Sequence, residues 1–314
     1  MSSSNGGPSD PASELGGGFG RLITAMVTPF DADGRVDYDQ AQRLARALLA
    51  SGSDGVVVSG TTGEAPTLSH AEKLDLYRAV KSAVGSDGAV LAGTSTYNTQ
   101  ESVELSKEAA GIGVDGLLLT VPYYNRPPQE GLYRHFEAIA AAVDIPCVLY
   151  NIPSRTGVNM TPETVVRLAR IPNIVGIKEA SGSNDAVSKI VQDAGADFRV
   201  WSGDDQTTLP FLSVGAYGVI CTCSNIVGRQ MKSLIEAFVD GRTADAAATH
   251  RRLLPLMSAL MTVAANPIPI KHAMNASGFR VGGLRLPLVD LDTDASARLL
   301  AELRRHQIDL PVRV

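Results

Sequence analysis

The sequence is poor in cysteine, in histidine and in surplus charge of either sign. Its 314 residues include three cysteines and five histidines, and 33 acidic against 28 basic residues leave a net charge of −5. No basic stripe stands out, so nucleic acid is not an expected partner. Three cysteines make no disulfide framework, and Cys221 and Cys223 lack the two-residue gap of a zinc or redox motif. A reducing cytoplasm is therefore the expected location.

Long apolar runs and metal-ligand patterns are also lacking. No hydrophobic run approaches the roughly 20 residues that a membrane helix needs, and residues 1–20 have no signal-peptide core. The histidines are scattered over helical stretches without ligand spacing. Asp204 and Asp205 fit a solvated loop or a helix cap better than a cation site. We therefore expect neither a membrane partner nor a metal.

What the chain does contain, from Arg21 onward, is a regular alternation. Short β-branched runs are each followed by a stretch of helical period. Near-continuous apolar strands alternating with helices predict a parallel sheet, and eight such units predict a (β/α)8 TIM barrel of about 250 residues. An open doubly wound sheet is the alternative, but the dinucleotide glycine fingerprint is missing after the first run. The runs lie at 22–28, 55–60, 89–94, 116–122, 147–153, 174–180, 198–205 and 217–223.

The same pattern predicts three regions. Residues 1–18 are rich in Ser, Gly and Pro and offer little to bury, which predicts a flexible tail. The catalytic barrel is expected over 19–240. Helical patterns then continue in 241–314, which predicts a C-terminal helical appendage.

Lys178 is unusual because it ends an apolar run, where a buried strand is expected. In barrels of this kind the chemistry gathers at the C-terminal ends of the strands. Lys178 could be a snorkelling lysine at the rim. Alternatively, burial lowers its pKa and makes it a nucleophile that forms a Schiff base with a carbonyl substrate. The other six lysines fall in predicted helices, where solvated faces explain them: Lys73, Lys81, Lys107, Lys189, Lys232 and Lys271.

Four residues near other strand ends could assist a nucleophilic amine at Lys178, although each also has an ordinary structural explanation. Tyr150 ends the preceding run and could shuttle a proton, or be a core tyrosine. Thr61 and Thr62 lie in a glycine-rich turn that can hold an anion, or they cap a helix. Arg155 can bind a carboxylate with two hydrogen bonds, or be a solvated loop charge. Because all four residues are expected on the same rim of the barrel as Lys178, they favour the hypothesis that Lys178 forms an imine.

Five motifs follow one another along the chain: GTTGE (60–64), PYYNRP (122–127), YNIPSRTG (150–157), GIKEA (176–180) and SGDD (202–205). In this order they resemble the dihydrodipicolinate synthase family of class I lyase-aldolases. The likeness extends from about Arg21 through NPIPIK (266–271) and LRLP (284–287). One departure is CTCSN (221–225), whose small residues are expected only to line the floor of the site.

The resemblance implies condensation of pyruvate with L-aspartate 4-semialdehyde in diaminopimelate and lysine biosynthesis. Lys178 would form the imine with pyruvate, and no metal or pyridoxal phosphate would be needed. Tyr150 would be the acid/base, in a relay with Thr61 and with Tyr124 of a neighbouring subunit. The family is also expected to form a homotetramer, as a dimer of dimers.

The resemblance implies substrate contacts as well. Thr62 and the main chain of Ile220 would hold the pyruvate carboxylate, Arg155 would bind the carboxylate of the semialdehyde, and Gly203 would line the pocket. N-acetylneuraminate lyase and keto-deoxy-sugar aldolases share the lysine and the tyrosine but typically lack the arginine, so Arg155 favours the synthase. A binding barrel without catalysis is a remote alternative, which predicts loss of Lys178 or Tyr150.

Overall fold

The computed structural model describes residues 19–311, so the tail predicted at 1–18 lies outside the described residues. Each of the eight predicted runs contains a β-strand. The strands are shorter than the runs because the last residues of each run turn into the following loop. They are β1 Leu22–Ala25, β2 Gly55–Val58, β3 Ala89–Gly93, β4 Gly116–Thr120, β5 Cys147–Asn151, β6 Ile174–Glu179, β7 Arg199–Ser202 and β8 Gly218–Cys221.

The strands form a closed parallel barrel in sequence order, with β8 pairing back onto β1. The predicted (β/α)8 barrel is therefore confirmed. Its interior is filled by one apolar cluster that includes Ile23, Val148 and Trp201. Alternate strand residues face outward into a second, larger cluster between sheet and helices. Polar side chains must therefore gather at the strand ends.

Twelve α-helices surround the barrel within residues 19–311. The helix from His70 begins at a capping box, in which Ser69 accepts from the Glu72 amide and Glu72 accepts from the Ser69 amide. Thr161 caps the helix that starts with Pro162. The helices are α1 Tyr38–Ala50, α2 His70–Val84, α3 Thr99–Ile112, α4 Gln129–Ala140, α5 Pro153–Thr156, α6 Pro162–Leu168, α7 Asn184–Asp193, α8 Thr208–Ser213, α9 Ser224–Val239, α10 Thr243–Thr262, α11 Ile268–Ala276 and α12 Thr293–Leu303.

The last three helices follow the eighth strand unit. Leu253, Met274 and Leu299 from these helices belong to the same continuous core as the outer face of the barrel. Within the described residues, no helix is both long enough and apolar enough to cross a membrane. The C-terminal helices thus pack on the barrel, where they reach the loops above its strands.

Candidate active site

Lys178 and Tyr150 lie side by side inside the top of the barrel. They are register partners on neighbouring strands β6 and β5. The Lys178 amine lies 4.3 Å from the centroid of the Tyr150 ring. The two residues are only 5% and 3% exposed. The snorkelling alternative for Lys178 is therefore wrong, because its neighbours bury the whole side chain.

Burial shifts both groups towards their neutral forms. It lowers the pKa of Lys178 to about 8, although the nearby Asp205 carboxylate opposes the change. It also raises the pKa of Tyr150 to about 12, against the opposing influence of the Arg155 cation and the Thr61 hydroxyl. A neutral amine can attack a carbonyl carbon, and a protonated phenol can donate a proton. Burial thus enlarges the neutral fraction of the amine and keeps the phenol protonated, and imine chemistry needs both.

The turn after β2 brings Thr61 and Thr62 to the same rim. Thr62 is buried, and its hydroxyl accepts a hydrogen bond from the side-chain amide of Asn266 at 2.9 Å. Backbone bonds from Gly63 and Ala65 to the Gly60 carbonyl close the turn. The turn is therefore closed by its own backbone bonds, and Asn266 orients the Thr62 hydroxyl.

Arg155 lies on the short helix α5, which the sequence pattern missed because four residues are too few to show a helical period. Its guanidinium is exposed and donates to the main-chain carbonyl of Asn266 at 3.1 Å. Asn266 thus links Arg155 to Thr62, although they lie far apart in sequence. The NPIPIK motif placed Asn266 within the resemblance, but only the fold reveals these contacts.

A buried ion pair supports the same turn from below. Lys271 donates to Glu64 at 2.8 Å and to the Thr28 carbonyl at 2.9 Å, and the second Glu64 oxygen accepts from the Arg285 amide at 3.1 Å. The expectation that Lys271 lies on a solvated helix face is wrong, since it is 1% exposed. The side of helix α11 that carries Lys271 packs against the turn after β2.

Gly203 lies against Lys178, and Ile220 lies inside the barrel. A Cβ at Gly203 would lie 2.7 Å from the Ala180 Cβ and 3.1 Å from the Lys178 Cγ, so only glycine fits without displacing the lysine. Ile220 is buried in the interior cluster that also contains Tyr150. Gly203 therefore leaves room for the Lys178 side chain, and the substrate contacts expected of the two residues remain predictions.

Asp204 and Asp205 behave differently from each other. Asp204 accepts from the Gln206 amide, which confirms the predicted cap. Asp205 is buried, and its two oxygens accept from the amides of Thr222 and Cys223 at 2.9 and 2.7 Å. The solvated-loop interpretation is therefore wrong for Asp205, which ties the loop after β7 to the end of β8.

Tyr124 does not reach this site within one chain. It is 89% exposed and has a φ of 71°, which is rare for a residue other than glycine. Beside it, Tyr97 and Tyr123 pack edge to face, with ring centroids 5.2 Å apart. Tyr124 therefore projects from the surface next to an aromatic pair.

A cavity of about 230 Å³ opens at this rim. Thr61 and Arg155 line it, together with Thr120 and Tyr123. Hydroxyl groups, the Arg155 guanidinium and the Lys73 amine therefore line this space, which Thr61 connects to the rim that carries Tyr150. Such a cavity suits a small substrate that carries carboxylate groups.

Comparisons with known proteins agree on one family. The model of the Dihydrodipicolinate synthetase family matches residues 18–306. The 4-hydroxy-tetrahydrodipicolinate synthase of Dehalococcoides mccartyi strain 195 is 58% identical over 94% of this chain and 99% of its own. That of Symbiobacterium thermophilum is 58% identical over 90% and 98%. The crystal structure of the Cyanidioschyzon merolae enzyme with lysine bound superposes with a TM-score of 0.90, at 46% identity over 91% and 98% of the two chains. The chain belongs to the dihydrodipicolinate synthetase family.

Proposed function

We propose that this protein condenses pyruvate with L-aspartate 4-semialdehyde to give 4-hydroxy-tetrahydrodipicolinate, through an imine between pyruvate and Lys178. The observation that carries the proposal is the fully buried amine of Lys178 packed against the phenol of Tyr150. Relatives that are 51–58% identical bear the name of this activity. The protein is accordingly a lyase of the Schiff-base type.

The first half of the reaction activates pyruvate. The neutral Lys178 amine attacks the keto carbon, and the carbinolamine loses water with a proton supplied by the Tyr150 phenol. The iminium then withdraws electrons from the adjacent methyl group, which gives up a proton to the tyrosinate and becomes the enamine carbon. Thr61 keeps the phenol in place, and Thr62 with the Ile220 main chain holds the pyruvate carboxylate.

The second half joins the two substrates. The enamine carbon attacks the aldehyde carbon of the semialdehyde, and the resulting alkoxide takes a proton. The substrate's own amino group then attacks the imine carbon and displaces the Lys178 amine, so the ring closes and the enzyme is restored. One water leaves for each pair of substrates.

Arg155 is assigned to the carboxylate of the second substrate. It lines the cavity and already donates to the Asn266 carbonyl, which fixes its direction. A guanidinium can bind a carboxylate with two parallel hydrogen bonds. The longer polyol substrates of N-acetylneuraminate lyase and keto-deoxy-sugar aldolases have no such need, so Arg155 favours the synthase over those activities.

The working form is assigned as a homotetramer in the cytoplasm, built from two dimers. The exposed Tyr124 supports this assignment, because its phenol would complete the relay in the barrel of a neighbouring subunit. Residues 1–18 and 241–314 are proposed as tail and appendage around a catalytic barrel. No metal or organic cofactor takes part in the proposed steps, because the imine itself accepts the electrons.

The test combines trapping with two activity assays. Incubation with pyruvate and borohydride should leave one reduced adduct on Lys178, located by peptide mass spectrometry, and should abolish activity. Pyruvate consumption should depend on L-aspartate 4-semialdehyde, and N-acetylneuraminate should release no pyruvate. An adduct on another lysine would overturn the mechanism, and release of pyruvate from the sugar acid would overturn the substrate assignment.

A further inference from the structure

Two cysteines and one carboxylate meet at the end of β8, where both cysteines belong to the core between the sheet and the helices. Cys221 Sγ and Cys223 Sγ are 3.6 Å apart. Together with a carboxylate oxygen of Asp205, they form a group whose atoms all lie within 4.8 Å of one another. All three residues are buried. The proposed reaction assigns no role to either thiol.

The separation of the two sulfurs fits a shared metal ion. Zinc lies about 2.3 Å from each thiolate in a tetrahedral site, which places two such sulfurs about 3.8 Å apart. The observed 3.6 Å is close to that spacing, and it is far longer than the roughly 2.05 Å of a disulfide bond. Little movement is therefore needed for both sulfurs to bind one ion.

Backbone amides already fix the orientation of the third donor, the Asp205 carboxylate. The two Asp205 oxygens accept one amide bond each, from Thr222 and from Cys223. A carboxylate offers about four lone-pair positions, so each oxygen keeps capacity for an ion. The Ser224 amide also donates to Cys221 Sγ at 3.3 Å. Burial raises the pKa of both thiols, so a bound cation is what would hold them as thiolates.

We propose that Cys221, Cys223 and Asp205 form a binding site for one divalent d10 cation with affinity for thiolates, such as Zn²⁺ or Cd²⁺. Two thiolates select such soft ions over Mg²⁺ and Ca²⁺, which prefer oxygen ligands. Binding releases one proton from each thiol, so the chain gains one cation and loses two protons. The one-residue gap between the cysteines, which argues against a zinc motif in the sequence, is completed here by a donor from another loop.

The ion also has a consequence for the reaction centre. Asp205 is the carboxylate that most strongly opposes the lowering of the Lys178 pKa, and Cys221 directly follows Ile220 in β8. An ion at this site engages the Asp205 charge and holds the end of β8 in place. We therefore expect occupancy to change turnover, reversibly on addition of a chelator.

The test titrates the reduced, folded protein with Cd²⁺. The thiolate-to-cadmium charge-transfer absorption in the ultraviolet should rise to one ion per chain, and native mass spectrometry should give the mass of one cadmium less two protons. Cys147→Ser is the matched control, because Cys147 is buried in β5, outside the group. It should bind as the wild type does, whereas Cys221→Ser or Cys223→Ser should bind more than about 100-fold more weakly, beyond the loss that an outer-shell change causes.

Three results would overturn the site. One is a wild-type protein that takes up no ion while folded, and a second is a signal that persists in the double variant Cys221→Ser/Cys223→Ser. The third is a mass two protons lower without an ion, which would mean a disulfide. If the serine variants fail to fold, the wild-type mass and its rise in melting temperature with Cd²⁺ but not with Mg²⁺ decide the question. These readouts require no assay of the proposed reaction.

Discussion

At the scale of single residues, the buried amine of Lys178 predicts a particular pH dependence. Burial penalises the charged form, so its pKa falls to about 8 and the neutral fraction grows as pH rises through that value. At pH 7 about a tenth of the amine is neutral, against about one part in several thousand for an ordinary lysine. The initial rate of trapping by pyruvate and cyanoborohydride should rise about tenfold per pH unit below 8 and then level.

The control for this profile is Lys189, which lies at the surface beside Asp193. Its pKa is raised by that carboxylate, so its adduct should stay scarce over the same range. Quantitative peptide mass spectrometry measures both adducts in one sample. A flat profile at Lys178 would mean that its amine is not the titrating nucleophile.

Tyr150 should matter through its hydroxyl and not through its ring. Tyr150→Phe keeps the buried packing and removes the proton donor, so kcat should fall by about 10²–10⁴-fold, the usual contribution of general acid–base catalysis. Tyr133→Phe removes a hydroxyl that bonds Glu137 on α4, outside the site, and should leave kcat unchanged. Steady-state kinetics with circular dichroism for the fold provide the check. A loss below about threefold would remove Tyr150 from the relay.

Arg155 should serve one substrate more than the other. Hydrogen bonds to charged groups contribute about 1.5–3 kcal/mol, so Arg155→Ala should raise KM for the semialdehyde by about 10–100-fold. The KM for pyruvate should change much less. Arg155→Lys keeps the positive charge but loses the planar guanidinium, so its KM for the semialdehyde should lie between those of the wild type and Arg155→Ala. Arg134→Ala, on the surface of α4, is the matched control and should leave both KM values unchanged. Equal increases for both substrates would instead indicate a structural role for α5.

At the scale of elements, the ion pair between the turn after β2 and helix α11 predicts a non-additive stability effect. Lys271→Met leaves the buried Glu64 carboxylate without its partner, which typically costs about 3–5 kcal/mol. The double variant Glu64→Gln/Lys271→Met removes both charges and should recover most of that loss. Parallel denaturant curves measure the difference. Additive losses would mean that the two side chains act independently.

The elements themselves follow closely from the sequence, and the contacts between them do not. Apolar runs with intervening helical periods are local signals, so they predicted the eight strands and the alternation of strands with helices. The burial of Lys271 depends on Glu64, 207 positions away, and Asn266 meets Thr62 across 204 positions. Hydrophobic periodicity within a short stretch of sequence carries no information about pairs so far apart. The motifs predicted that the candidate site residues share one rim of the barrel. The contacts of Asn266 and Lys271 that hold this rim in place are visible only in the folded structure.

At the scale of the whole molecule, the exposed Tyr124 predicts a site shared between subunits. If Tyr124 works in the neighbour's barrel, Tyr124→Phe and Lys178→Ala damage different sites in a mixed dimer. The barrel with intact Lys178 then receives an intact Tyr124 from its partner. Dissociating the two variants, mixing them equally and reassociating them should restore about a quarter of wild-type activity, since half of the dimers are mixed and each has one complete site.

The matched control uses two residues of the same barrel. Tyr150 and Lys178 are register partners within one chain, so a mixture of Tyr150→Phe with Lys178→Ala leaves no complete site in any dimer. That mixture should stay at the mean of its parents. Recovery with Tyr124→Phe but not with Tyr150→Phe therefore separates a residue that crosses the interface from one that does not. If neither mixture recovers although native mass spectrometry confirms that mixed dimers have formed, Tyr124 acts within its own chain or not at all.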